Sequence, residues 1–163
     1  MAKDITDAWG PKVHARQPAD PAVIASRKRL FEKELELVVA MQHAGGQLLA
    51  GTGTPNPFSF PEFSLHDELG FMVQAGLTPL EALQSATIKP AEFLGLSETL
   101  GTVEKGKIAD LVLLDANPLE NIANTKSIRA VISNGRLFDR AALDHMLSGV
   151  AIFDGRKMSA PRE

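Results

Sequence analysis

Gln47-Leu48-Leu49-Ala50-Gly51-Thr52-Gly53-Thr54-Pro55-Asn56 is the stretch whose reading decides the fold. It is a short apolar run, opened by Gly45-Gly46 and closed by the small residues and proline of Gly51 to Pro55. Such a run reads as a buried strand that ends in a loop. Helical patterns lie on both sides of it. The order helix, buried strand, helix is that of a parallel α/β sheet or barrel, in which functional groups sit just past the carboxyl ends of strands. Thr52, Gly53 and Thr54 occupy that place.

Upstream, Asp20-Pro21 is a helix start: a carboxylate to cap free amides, then a proline whose missing N–H costs nothing at the first position. Ile24, Phe31, Leu35 and Val38 hold one face of the helix that follows, and Gly45-Gly46 ends it. The charge run Arg27-Lys28-Arg29 is read as a solvated face, locally paired with the many glutamates, and not as an anion site. Met1 to Asp20 shows no period and is expected to be a flexible lead-in, with Trp9 docked on a neighbouring surface.

Downstream, three prolines and three phenylalanines between Pro55 and Phe63 make a stiff loop, fit either to wall a pocket or only to cover apolar surface. Ser64 and Asp67 form a near capping box for a helix whose face is Leu65, Leu69, Met72 and Val73. Thr78-Pro79-Leu80-Glu81 supplies a full box for the next helix, and a short piece at Pro90 to Leu94 follows. From Gly101 the period changes. Ile108 to Leu114 reads as a buried strand, and Ile128 to Ser133 leads through Asn134-Gly135, the strongest short hairpin signal, into Arg136-Leu137-Phe138. A last helix is expected at about Arg140 to Leu147.

Composition excludes several classes. A chain of 163 residues with 44% hydrophobic residues and a net charge of −3 is an ordinary globular protein with no basic excess for nucleic acid. Cysteine is absent, which excludes disulfides and thiolate metal sites and fits a reducing compartment. No apolar run approaches the roughly 18 residues of a membrane span, and the first residues lack the apolar core of a signal peptide. A cytoplasmic protein without membrane or nucleic-acid partners is expected.

Leu48 to Thr54, then Ser64-Leu65-His66-Asp67-Glu68-Leu69, then Ala75-Gly76-Leu77-Thr78-Pro79-Leu80-Glu81-Ala82-Leu83 resemble the end of a metal-dependent amidohydrolase barrel. Gly101 to Asp115 resembles the same family's C-terminal signature, and the likeness, strongest to the imidazolonepropionase-like and prolidase-like branch, covers roughly residues 22 to 147. Lys89 departs from the family pattern, which has asparagine there. The resemblance implies an α/β fold: the C-terminal fragment of a (β/α)8 barrel, its last helix-strand-helix unit, with part of a small β-sandwich. A complete barrel takes about 250 residues, so the expected division is a lead-in at 1–20, a partial barrel at 21–97, a partial sandwich at 98–139, and a C-terminal helix and tail at 140–163.

The family implied by that resemblance hydrolyses C–N bonds with one or two divalent ions of zinc type. The metal lowers the pKa of a bound water, and an aspartate ending the eighth strand holds the ion and moves the proton to the leaving amine. That aspartate belongs at position 53, where this chain has Gly53. Glycine offers neither ligand oxygen nor proton acceptor, so no metal or cofactor is expected for this chain by itself.

The histidines, His14, His43, His66 and His145, form no His-x-His or His-x-x-x-His pair. His43 and His145 fall in helices, where structural roles dominate. His66 matches a histidine common in the resembling branch, which implies a group that contacts substrate or orients a ligand; a histidine bonding nearby loop carbonyls is the commoner alternative. Thr54 is the second substrate-binding candidate, against a plain backbone contact. Two functional readings stand: an amidohydrolase segment that is inactive alone, or a noncatalytic self-associating module. Either one exposes faces that call for a homo-oligomer or a complementary barrel fragment.

Overall fold

The computed structural model describes residues 20–53 and 63–157, with side chains as far as residue 149. Five helices and three strands follow in the order α1 (Pro21–His43), α2 (Phe63–Ala75), α3 (Pro79–Ser85), α4 (Ile88–Phe93), β1 (Leu111–Leu114), β2 (Ile128–Ser133), β3 (Arg136–Asp139) and α5 (Arg140–Lys157), with a 3-10 turn at Ile122–Lys126 between β1 and β2. The Pro-rich loop ahead of Phe63, His14, Thr54 and Trp9 lie outside the described residues.

Asp20 caps α1 as expected, its Oδ1 accepting the Ala22 amide at 2.8 Å. No residue of α1 is buried. The helix touches α2 through Phe31 and Phe71, whose rings meet edge to face at 5.3 Å, and through Val38 and Val39. The expectation of a locally paired charge run is corrected in part: Arg27, Lys28 and Arg29 are exposed, and Lys33 with Glu36 is the one ion pair on this helix among the described residues.

The core is small and local. Leu69 and Met72 of α2, Leu77, Ala82 of α3 and Ile122 of the 3-10 turn are buried together, ringed by partly buried Val38, Val39, Leu48, Ala50, Val73, Leu83 and Ala86. Thr78 and Glu81 close the full capping box on α3. Asp67 pairs across the fold with Lys126 at 2.6 Å, tying α2 to the 3-10 turn.

The deciding stretch is extended but forms no ladder. Leu48 and Ala50 face the core, Gln47 and Leu49 are exposed, and the Ala50 amide donates to the Ser85 carbonyl at 3.0 Å. A strand needs neighbours for its remaining amides and carbonyls, and no described residue runs beside this one. The expected buried strand is thus an extended arm lying on α2 and α3.

The small sheet has the order β1-β2-β3, antiparallel throughout. Ile132 pairs with Leu111 on one side and Leu137 on the other. Asn134 and Gly135 both take positive φ in the β2–β3 turn, as the hairpin signal required. β1 is shorter than expected and is an edge strand, so Val112 and Leu113 are exposed where burial was anticipated. α5 continues ten residues past the expected Leu147, to Lys157. Its start is tied to β2 by Arg140, whose Nη1 donates to the Ile128 carbonyl at 3.0 Å.

Gly101 makes the passage from helices to sheet. Its φ is +92°, and a Cβ there would lie 2.9 Å from the Ala91 Cβ and 3.0 Å from the Ile88 Cα. Both the backbone angle and the crowding demand glycine.

Candidate functional site

Two groups of side chains converge around α2. The first holds the end of the extended arm. One turn into α2, Glu68 reaches back and its Oε1 accepts the Gly51 amide at 2.8 Å. Its other oxygen, Oε2, is buried without a hydrogen-bond partner among the described residues. Two residues further on, Gly53 takes φ +63°, in the left-handed region.

The second group is built on His66. The Thr125 hydroxyl, buried, donates its one proton to the Ile122 carbonyl at 2.8 Å. It can therefore only accept from His66, whose Nδ1 lies 3.1 Å away. The network assigns the proton to Nδ1 and leaves Nε2 as an acceptor. Burial, and then the Lys126 ammonium, lower the imidazole pKa from 6.5, with Asp67 opposing; the ring is neutral at pH 7.

His66 lines a cleft of about 630 Å³ between α2, β2 and α5, with Phe63, Val131, Leu143 and Met146 as apolar walls and Arg140 among its lining residues. Gly53 is not among the residues that line it. The arm's end and the His66 cleft are therefore separate features of the fold.

The described residues do not fit a divalent metal. Among them no group of three or more histidine, aspartate or glutamate side chains converges, and Gly53 contributes no oxygen. Glu68 is a single carboxylate already committed through one oxygen to the backbone.

Glu68, Thr125 and Lys126 are the residues that sequence reading did not single out for these roles. Thr125 and Lys126 carry no local signal, since each meets its partner 59 residues away in sequence.

The family model described as "Amidohydrolase family" matches residues 21–138, most of the chain. The chain belongs to the amidohydrolase family. Within it, this amidohydrolase chain is 44% identical over 72 residues to the imidazolonepropionase of Thermoplasma volcanium, covering 40% of this chain and 17% of that protein. A prolidase-like structure from Bifidobacterium longum matches at 34% identity with a TM-score of 0.58, over 69% of this chain and 29% of the other. The bottromycin amidohydrolase structure matches at 25% identity with a TM-score of 0.76, over 95% of this chain and 34% of the other. The chain spans 10% to 24% of the length of the first curated relatives it matches. These amidohydrolase relatives bear out the fold family and a mixed α/β architecture, and the imidazolonepropionase-like and prolidase-like likeness with it.

Proposed function

We propose that these residues form the closing part of an amidohydrolase barrel, with part of its flanking sheet, and that the chain alone does not hydrolyse. The reaction class at issue is hydrolysis of a non-peptide C–N bond or of a dipeptide, in a fold completed by a complementary barrel fragment. Gly53 carries this reading. It stands on the extended arm at the position where the family resemblance puts a metal-holding aspartate, and it presents no side-chain oxygen.

The decisive experiment is metal content by mass spectrometry on protein loaded with zinc, followed by assays on amides, cyclic amides and dipeptides. A metal content near zero with no turnover is expected. About one tightly held ion per chain together with metal-dependent turnover would overturn the reading, and His66 and Glu68 would then be the groups to substitute first. Gly53→Asp is expected to fold, since aspartate is among the residues that tolerate the left-handed region. It is not expected to bind zinc tightly by itself, because no described side chains stand ready to join it.

A second reading, a noncatalytic self-associating module, is favoured by α1, which has no buried residue along its whole length. The absence of cysteine and of any described helix long and apolar enough to cross a membrane supports a cytoplasmic setting for either reading.

A further inference from the structure

α1 carries two apolar stripes. Phe31 and Val38 turn toward α2 and the core, as the Phe31–Phe71 contact and the packing of Val38 require. Val23, Leu30 and Leu37 recur at seven-residue steps on a different side, and Met41 joins them one turn after Leu37. A seven-residue step returns to within about 20° of the same helical direction, so Val23, Leu30 and Leu37 form a straight ridge with Met41 beside its end. They are 43%, 59%, 59% and 49% exposed. Nothing described in this chain covers them.

The charges beside the ridge are arranged in a particular way. Arg27 and Glu34 lie next to it, also seven residues apart and on its same flank. Neither makes a hydrogen bond or ion pair among the described residues, although Lys33 and Glu36 of the same helix are paired.

We propose that α1 is a self-complementary docking helix, which pairs antiparallel with α1 of a second copy of this chain. A two-fold axis crossing between Leu30 and Phe31 sets Leu30 against Leu30 of the partner subunit. The same axis brings Leu37 over Val23 of the partner subunit and Arg27 beside Glu34 of the partner subunit, twice by symmetry. A parallel pairing would set Arg27 and Glu34 on the opposite side of the seam from their copies in the partner subunit and leave both without this partner across it. Charge complementarity therefore selects a second copy in the antiparallel sense. The inference does not depend on the enzymatic reading, since α1 contributes nothing to Gly53 or the His66 cleft.

The test is sedimentation equilibrium on the full chain up to roughly 1 mM. A concentration-dependent dimer is expected, and Leu30→Glu should weaken it ten-fold or more. Arg27→Glu and Glu34→Arg should each weaken it as well, because each places like charges together. A mixture of those two variants should re-form a dimer as tightly as the unaltered chain, and so should the double variant carrying both changes. All these positions are exposed, so circular dichroism should show unchanged helix content. A chain that stays monomeric across the range would overturn the proposal. So would a dimer indifferent to Leu30→Glu, which would mean association through another face, or charge variants that fail to rescue each other.

Discussion

His66 shows how one buried hydroxyl settles the chemistry of an imidazole. Because Thr125 has already given its proton to the Ile122 carbonyl, the ring must donate from Nδ1, and the neutral form is the one that the site favours. The folded pKa lies below 6.5 while the unfolded chain returns toward it. Below pH 6.5 the unfolded chain therefore takes up the proton first, and stability contributed by His66 is present above that value and lost as the pH falls through the lowered folded value. Urea unfolding between about pH 7.5 and pH 5.5 should show this loss, and His66→Gln should flatten it; identical slopes would refute the assignment. Glu68 makes a different prediction. Glu68→Ala leaves the Gly51 amide without its acceptor and should cost about 1–2 kcal/mol, whereas Glu68→Gln, which keeps a carbonyl oxygen, should recover most of it in denaturant titrations.

Among the elements, α3 and α1 are opposites. α3 has seven residues and holds its start by the reciprocal bonds of Thr78 and Glu81. Thr78→Ala should lower thermal stability by about 1 kcal/mol. The bonds from Thr78 hold the Glu81 carboxyl below its usual 4.5, so the contribution of the box is present above that pH and fades in acid. α1 has 23 residues and no buried one. A helix with so little tertiary cover is marginal in water even at this length, so its amides should exchange with deuterium sooner than those of α2 in dilute solution. Their protection should rise with protein concentration if the ridge is covered by a second copy.

For the molecule as a whole, a core centred on Leu69, Met72, Leu77, Ala82 and Ile122 is modest for 163 residues. Leu69→Ala should therefore cost about 3 kcal/mol, a large fraction of what a small domain has, and abolish a cooperative thermal transition. Much of this organisation was legible in the sequence. Asp20-Pro21, Thr78 to Glu81 and Asn134-Gly135 each declare their structure within four residues, since caps and turns are local chemistry. The arm at 47–53 and strand β1 were legible only as apolar runs. Whether such a run is buried depends on neighbours that its own residues do not specify, and here Val112 and Leu113 stayed exposed. Thr125, Lys126 and the bond from the Gly51 amide to Glu68 were illegible because they arise from long-range meeting of segments.

Gly101 has a further consequence for how this chain can vary. Between a positive φ and two atoms within about 3 Å of any added carbon, no rotamer choice or neighbouring adjustment of backbone atoms relieves both restraints at once. A saturation library selected for soluble expression should return glycine alone at position 101. At Gly149, helical and with nothing within 4 Å, the same selection should return many residues with alanine enriched, so that the two positions together calibrate the tolerance of every other site in the chain.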